Sequence, residues 1–266
     1  MRFFKRSIFV LGILVLVLAS AWTAFAFWAR DKYVVPVLMY HMVGNQIVDD
    51  GDLNSVSPRA FARQMGYLKN NGYQVISLND LAKGIRKGRM FNRHSVVITF
   101  DDGYEDNYTN AFPVLKKYNY PAIVFVISDV VGTPGFMTWE QLKEIDDAGF
   151  KVGSHTRRHA YLPDFKDDPS RLDDEIINSK KTFEKNLGRS IFYFSYPAGG
   201  FSEAVKEVVQ KAGYKGACAT NRGYDRFNRD VYELRRIRVN EEDSSLVLWA
   251  KLSGYYNLFR ELKNPY

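Results

Sequence analysis

Short apolar runs that alternate with helical segments constrain the fold of this chain more than any other feature. Each run is apolar along most of its length, which is typical of strands buried on both faces. Repeated strand–helix alternation predicts a parallel sheet covered by helices, either a barrel or a doubly wound sheet. The predicted strands are Val35–Tyr40, Tyr73–Ile76, Ser95–Phe100, Ala122–Ile127, Phe150–Ser154, Ile191–Tyr196 and Gly216–Thr220.

The helical segments carry recognisable start signals. Ser57 and Pro58 predict the beginning of the first one, and Thr138 with Gln141 forms a capping-box pattern at another. A long helix rich in Asp and Lys is expected over Pro169–Leu187, where the charges predict a solvated face. The other expected helices are Asn79–Ile85, Ala111–Tyr118 and Ser202–Ala212.

The amino terminus has the pattern of a membrane segment. No charge occurs from Ser7 to Ala29, and at about 1.5 Å per residue a helix of this length spans roughly the 30 Å core of a bilayer. Arg2, Lys5 and Arg6 precede the segment, which predicts that the start of the chain stays in the cytoplasm. We therefore expect a single-pass N-terminal transmembrane helix.

This helix divides the chain into two parts. Residues 1–30 are expected to form the basic leader and membrane anchor, and residues 31–266 a single folded domain outside the inner (cytoplasmic) membrane. A cleavable signal peptide remains an alternative, because Ala24-Phe25-Ala26 fits the small-x-small cleavage pattern. In that case the domain would be secreted.

Composition excludes several classes of protein. With 46% apolar and 25% charged residues, the chain is neither disordered nor collagen-like. The single cysteine, Cys218, excludes an intrachain disulfide and a cysteine-based zinc site. The net charge is +7, but residues 1–34 contribute +4 of it, so the nearly balanced remainder argues against a nucleic-acid partner.

Two adjacent carboxylates follow one of the predicted strands. Asp101 and Asp102 come directly after Ser95–Phe100, at the carboxyl end where parallel α/β folds place their ligand sites. Adjacent carboxylates repel each other unless a proton or cation offsets their charge. A bound metal ion would resolve that cost.

Two histidines follow another predicted strand. His155 comes directly after Phe150–Ser154, and His159 lies four residues further on. Two imidazoles and one carboxylate form a ligand set that leaves open positions for water and substrate. The pair alone indicates a metal site weakly, whereas together with Asp101 and Asp102 it indicates one strongly.

These segments resemble the polysaccharide deacetylase family, the NodB-homology carbohydrate esterases. TFDDG at residues 99–103 matches the first motif of the family and HTRRH at residues 155–159 matches its H-[ST]-x-x-H motif, in the same order. The resemblance extends from about Val35 to Thr220. It implies a distorted, incomplete (β/α) barrel and metal-dependent removal of N-acetyl groups from an acetylated amino-sugar polysaccharide. By resemblance, the catalytic base is Asp101 and the metal ligands are Asp102, His155 and His159.

A third segment departs from the family pattern. The common motif R-P-P-Y-G is replaced here by Ser195-Tyr196-Pro197-Ala198-Gly199, so the arginine that orients the base is missing. By resemblance, Tyr196, Pro197 and Ala198 are the expected substrate and oxyanion contacts, with the backbone N–H of Ala198 as the oxyanion donor. Another cation should replace the arginine, and Arg236, in the strand-like stretch 234–239, is the candidate. A solvated edge strand is the alternative for that stretch.

The carboxy-terminal histidine of the family is also absent, because no histidine follows His159. His94 precedes the strand that ends before Asp101, so it is expected on the surface at the opposite end of the barrel. His41 ends its own strand on the catalytic side. LMYHMV, which contains His41, resembles the opening segment of the branch that acts on poly-N-acetylglucosamine and related exopolysaccharides, and this implies that His41 is the general acid.

The expected cofactor is one divalent ion. Zinc suits two imidazoles and a carboxylate, and cobalt, nickel or iron can use the same ligands. Two other functions remain open at this point. An O-acetyl esterase would use the same site, and a non-catalytic carbohydrate-binding protein would explain the missing arginine and terminal histidine.

Overall fold

The computed structural model describes residues 2–44, 55–261 and 263–265, with the backbone alone for residues 2–12, 30 and 31. Its sheet is parallel in every strand pairing described. The predicted strands are all present, most of them one to three residues shorter than expected. The strands are β1 Val37–Tyr40, β2 Gln74–Val75, β3 Ser95–Phe100, β4 Ala122–Val126, β5 Phe150–Ser154, β6 Tyr193–Ser195, β7 Gly216–Ala219, β8 Leu234–Arg235 and β9 Ile237–Arg238.

The sheet curls until its two edges meet on one short segment. Its strand order is β8-β7-β6-β5-β4-β3-β1-β9, with β2 paired to β3 outside this path. Only Arg236 separates β8 from β9, yet Leu234 pairs with Cys218 of β7 and Ile237 pairs with Leu38 of β1. The curled parallel half-barrel favours the barrel prediction over a doubly wound sheet.

Helices cover the outside of the sheet and begin largely where the sequence predicts. Ser57 caps the first helix after β1 by accepting a hydrogen bond from the N–H of Ala60, and Thr138 with Gln141 forms a complete capping box. The helices are α1 Arg2–Asp31, α2 Pro58–Asn70, α3 Leu78–Arg86, α4 Phe112–Tyr118, α5 Trp139–Asp147, α6 Pro169–Asp173, α7 Ser179–Leu187, α8 Glu203–Lys211, α9 Ser245–Leu252 and α10 Tyr256–Phe259.

The core supports the strand ends that carry the polar motifs. Phe61 of α2 packs edge-on against Tyr40, and Tyr40 stacks on Phe100 with ring centroids 5.5 Å apart. All three rings are buried, and burying one such side chain is worth about 1.5–3 kcal/mol. Tyr40 and Phe100 immediately precede His41 and Asp101, so this cluster fixes the backbone from which both side chains extend.

The long helix expected over Pro169–Leu187 is interrupted, and its charged side chains are exposed or half-buried with the exception of Glu175. A π-helical turn at Asp174–Asn178 separates α6 from α7. Glu175 within it is buried, because its carboxylate accepts hydrogen bonds from the backbone of the HTRRH segment. Extra residues in a π turn rotate the following side chains relative to an α-helix, and such turns often occur at functional sites.

The amino-terminal helix α1 runs to Asp31 and exposes large apolar side chains, among them Leu16, Trp22 and Phe27. A search of the described residues for a helix with both the length and the apolar character needed to cross a membrane finds none. The membrane anchor at residues 1–30 stays a prediction.

We expect Gly199→Ala to destabilise the protein by about 2–4 kcal/mol, combining the left-handed backbone cost with overpacking. Gly199 has a φ of 72°, and an added Cβ would lie 2.6 Å from the backbone nitrogen of Thr220. Gly188, with a φ of 70° and no atom within 4 Å of an added Cβ, is the matched control. Gly188→Ala should cost only about 1–2 kcal/mol. Urea unfolding measures the loss of stability in both variants. Equal losses would show that the close contact between an added Cβ at residue 199 and Thr220 does not matter.

Candidate active site

Side chains that follow several strands gather at the carboxyl-terminal edge of the sheet. This is the edge at which parallel α/β folds bind their ligands. Loops after three different strands, together with the segment between β8 and β9, therefore contribute to one site. Its polar side chains are His41 after β1, Asp101 and Asp102 after β3, His155 and His159 after β5, and Arg236 between β8 and β9.

Asp102, His155 and His159 form a compact group of potential metal ligands. One ligand atom from each lies within 4.8 Å of the other two. Asp102 Oδ1 is 3.5 Å from His155 Nε2 and 3.6 Å from His159 Nε2. Asp102 and His155 are buried, whereas the His159 side chain is 44% exposed, so the group opens to solvent on one side.

The hydrogen bonds of this group fit a bound cation. His155 Nδ1 lies 2.8 Å from the carbonyl oxygen of Ser195, which only accepts, so Nδ1 carries the proton and Nε2 keeps its lone pair. That lone pair points at Asp102 Oδ1, a buried oxygen with no hydrogen-bond partner. Two acceptors that face each other in this way leave a place for a cation, and the donor set suits zinc.

Asp101 is held by Arg236, which lies between β8 and β9. We call this segment, where the two edges of the sheet meet, the seam of the barrel. Both carboxylate oxygens of Asp101 are 2.6 Å from Arg236, in a bidentate pair with Nη1 and Nη2. Burial alone would raise the pKa of Asp101, but the charge and hydrogen bonds of Arg236, together with the neighbouring His155 and His41, outweigh burial and hold the pKa below the usual range for a carboxyl. Asp101 is therefore an ionised acceptor, oriented by Arg236, beside the ligand group.

The Arg236 guanidinium is completely buried, and each of its nitrogens has a partner. Nε donates to the Ala219 carbonyl, Nη1 contacts Thr99 Oγ1 at 3.2 Å, and Nη2 contacts Ser195 Oγ at 2.9 Å. The side chain thus contacts the carboxylate that a replacement for the missing motif arginine is expected to contact. Arg236 is therefore buried inside the barrel. The alternative that the stretch 234–239 is a solvated edge strand is wrong for this residue.

His41 lies beside Asp101. Its Nε2 is 4.0 Å from Asp101 Oδ2, and burial lowers the pKa of the His41 ring to about 4. His94, by contrast, is exposed before β3, at the opposite end of the barrel, and stacks on Tyr73. The structure therefore brings His41 to the site and leaves His94 outside it.

The segment after β6 is only partly directed to the site. The Tyr196 ring is fully buried, stacks on Phe201 and donates its hydroxyl hydrogen to the Tyr232 carbonyl, so this side chain packs in the core instead of facing substrate. Pro197 is buried as well. Ala198 is exposed and has a φ of 51°, which turns its backbone sharply at the strand end. Of the three expected substrate contacts, Tyr196 and Pro197 are buried and only Ala198 is exposed to solvent.

Left-handed backbone is concentrated here. Among the described residues, positive φ at non-glycine positions occurs at Asp102, Thr156, His159 and Ala198, and elsewhere at Asn119 and Asn228. Each such residue costs of order 1–3 kcal/mol, which the surrounding structure must offset. Four of these six residues belong to the three motifs. The orientation of the motif side chains therefore comes at a cost in the stability of the fold.

Sequence reasoning missed two residues that orient the site. Ser195 supports His155 through its carbonyl and Arg236 through its hydroxyl, and Glu175 binds the backbone of the HTRRH loop. Ser195 directly precedes the third motif core and stands where the family pattern has arginine, which was a signal for an interaction at that point. Glu175 gave no comparable signal, because an acidic residue in a charged helix is typical of solvated surface.

Comparison with known proteins supports the resemblance. A family model described as polysaccharide deacetylase matches residues 88–217. The Bacillus subtilis protein YxkH, whose name describes a polysaccharide deacetylase, is 33% identical over 206 residues, 77% of this chain and 71% of that protein. The poly-beta-1,6-N-acetyl-D-glucosamine N-deacetylase of Staphylococcus aureus (strain MRSA252) is 28% identical over 200 residues, 71% of this chain and 69% of that protein.

Solved structures agree with the sequence matches. The Streptococcus pyogenes deacetylase PplD, solved in complex with acetate, is similar to this chain with a TM-score of 0.75 and 27% identity over 82% of this chain and 97% of that one. The family-model match contains Asp101, Asp102 and both histidines of HTRRH but ends before Arg236. The likeness of fold and motifs is therefore shown, while the part played by Arg236 depends on the geometry above.

We expect Arg236→Met to destabilise the protein by about 3–5 kcal/mol, because it leaves the Asp101 carboxylate buried without its counter-charge. The double variant Arg236→Met/Asp101→Asn should recover a large part of that loss, because no buried charge is left unpaired. Urea unfolding of the two single variants and the double variant gives the coupling. If the losses in unfolding free energy of the two single variants simply add in the double variant, the ion pair does not couple the segment between β8 and β9 to Asp101.

Proposed function

This chain belongs to the polysaccharide deacetylase family, a group of hydrolases acting on N-acetyl groups, and we propose that it deacetylates an amino-sugar polysaccharide with the help of one divalent ion. The observation that carries the proposal is the buried, unpartnered Oδ1 of Asp102 between two imidazole nitrogens, next to the ionised Asp101. A ligand group and a separate base are the two parts that hydrolysis of an acetamide requires.

Asp102, His155 and His159 would hold the ion. Zinc is the first candidate, and cobalt, nickel and iron accept the same donors. When bound, the ion would supply Lewis acid chemistry, polarising the acetamide carbonyl and making water a stronger acid. His155 would be fixed in its ligating orientation by the Ser195 carbonyl, and His159 would provide the ligand on the open side.

Asp101 would act as the general base. Arg236 occupies both carboxylate oxygens and keeps the group ionised, so Asp101 is suited to accept the proton of the attacking water. The new oxygen–carbon bond places negative charge on the former acetamide oxygen. The backbone N–H of Ala198 would donate to that oxygen, and one such donor is worth about 3–4 kcal/mol in the transition state.

His41 would complete the reaction. Its Nε2 is 4.0 Å from Asp101 Oδ2, which is longer than a hydrogen bond, so one bridging water would carry the proton that Asp101 collects to His41. Delivery of that proton to the nitrogen lets the carbon–nitrogen bond break, so that acetate and the free amino sugar leave. Tyr196 and Pro197 would support this chemistry only by holding the Ala198 turn.

The proposed substrate is a polymer that contains N-acetylglucosamine. Support comes from the relatives named as poly-beta-1,6-N-acetyl-D-glucosamine N-deacetylases in Staphylococcus aureus and Escherichia coli. The Escherichia coli match covers 50% of this chain and 22% of that longer protein. We further propose that residues 31–266 are exported and act on this polymer outside the cytoplasmic membrane, tethered by the uncharged segment Ser7–Ala29.

We expect the wild-type full chain, stripped of metal and then given zinc or cobalt, to release acetate from N-acetylglucosamine oligomers. Asp101→Asn should lower kcat by about 10²–10⁴-fold, the usual contribution of a general base, while the ion still binds with a stoichiometry of one. Asp147→Asn, at an exposed carboxylate paired with Arg189, is the control and should leave kcat unchanged. An Asp101→Asn enzyme within about tenfold of wild type would remove Asp101 as the base.

The same assay separates the other two functions. Acetate release from O-acetylated sugars alone would indicate an esterase. Glycan binding with no acetate release from any substrate would indicate a binding protein on the same scaffold.

We expect His41→Ala to lower kcat by about 10²-fold or more, without loss of the bound ion, because the leaving amine loses its proton donor. His94→Ala is the matched control, since His94 is exposed at the opposite end of the barrel. Steady-state rates and metal content of both variants make the comparison. Equal rates for the two variants would assign the proton delivery to another group.

A further inference from the structure

We propose that Glu175 is a positioning residue for the metal site, because its carboxylate fixes the loop that carries both histidine ligands. The inference rests on the proposed function, since it concerns the same ligand group. Glu175 belongs to the π turn 174–178, and its side chain is only 2% exposed. It therefore reaches the loop 155–159 from a different part of the chain.

The loop needs an external template. Thr156 has a φ of 68° and His159 a φ of 58°, which are left-handed conformations that residues with a Cβ adopt at a cost. These two turns bring the His155 and His159 rings together, with centroids 4.9 Å apart. A free segment of this sequence has no intrinsic reason to hold both turns at once, so bonds from neighbouring elements must select them.

The backbone N–H groups of the loop show which bonds do so. All five are satisfied, and three of them bond to strand or local acceptors: His155 to the Val126 carbonyl, Thr156 to Ser154 Oγ and His159 to Thr156 Oγ1. The middle two, those of Arg157 and Arg158, both donate to Glu175 Oε2 at 3.0 Å. One buried carboxylate oxygen thus anchors the centre of the loop.

The side chains of Arg157 and Arg158 add further, weaker support to the loop through ion pairs. Arg158 Nη2 is 2.7 Å from Glu175 Oε1, and Arg157 lies between Asp129 and Asp174. The Arg158 side chain is 50% exposed, and exposed ion pairs contribute little. Buried hydrogen bonds to a charged acceptor are stronger, and leaving a buried N–H unsatisfied is costly. The carbonyl groups of Thr156 and Arg157 also accept hydrogen bonds, from the backbone of Ser128 and Asp129. Among the side chains that contact the loop, Glu175 rather than the arginines is therefore the main support.

Loss of this support should act on the ligands. His159 is held mainly through the loop backbone, because its ring is the open and partly exposed member of the group. If the Arg157 and Arg158 amides lose their acceptor, the loop can relax toward ordinary φ values and His159 Nε2 moves away from Asp102. Residues that orient metal ligands in this way typically change metal affinity by about 10–100-fold when removed.

The test is the dissociation constant for zinc or cobalt, measured on the full chain by competition with a chromophoric chelator. Glu175→Ala should raise that constant by about 10–100-fold. Glu184→Ala is the matched control, because Glu184 also accepts a backbone N–H, that of Ile191, and pairs with Lys180, but away from the loop. It should lower the unfolding midpoint and leave the dissociation constant within about twofold of wild type.

Two further variants keep the result decisive. Glu175→Gln retains an oxygen acceptor and should bind the ion more tightly than Glu175→Ala, and it carries the test if the alanine variant does not fold. Arg158→Gln removes only the exposed ion pair with Glu175. It should change the dissociation constant for the metal ion by no more than about threefold. Wild-type affinity in both Glu175 variants, or an equal loss in Glu184→Ala, would overturn the inference. Failure of the wild-type chain to bind any divalent ion would instead overturn the proposed function.

Discussion

The ion pair between Arg236 and Asp101 joins the architecture to the site. Arg236 is the one residue between β8 and β9, so it stands where the two edges of the curled sheet meet. Its guanidinium crosses the interior to both oxygens of Asp101 at the end of β3. A buried arginine without a carboxylate would be costly, and so would a buried carboxylate without an arginine. Closure of the sheet and orientation of the Asp101 carboxylate therefore depend on the same ion pair.

The same pair explains how two adjacent carboxylates take different parts. Asp101 receives the full charge of Arg236 and has a pKa below the usual range, whereas burial raises the pKa of Asp102 to about 6 despite its closeness to His155. Asp102 Oδ1 is thus a buried acceptor that gains most from a cation. Environments that separate two like groups are the general way in which sites assign roles to them. Here the separation comes from burial, which raises the pKa of Asp102, and from Arg236, which donates to both oxygens of Asp101.

Much of this could be predicted from the sequence, because strand ends and motif spacing are local properties. Asp101, Asp102 and His155 follow apolar runs directly, and parallel strands place such residues on one edge. Glu175 could not be predicted, because its burial depends on a π turn that helix propensity does not reveal. The side chain of Tyr196 was also misjudged, since motif position identifies a backbone turn but not the core that its ring enters.

The contact expected of the missing motif arginine is made in this chain by a side chain from another element. The family pattern places an arginine where this chain has Ser195, and the Ser195 hydroxyl is 2.9 Å from Arg236 Nη2. A serine leaves space beside Asp101 that a long side chain from β6 would fill, and Arg236 enters that space from the seam. In this chain the cation at both oxygens of Asp101 comes from the segment between β8 and β9 and not from β6. The serine at 195 and the arginine at 236 are joined by the hydrogen bond from Arg236 Nη2 to Ser195 Oγ, so a change at either position alters the surroundings of Asp101.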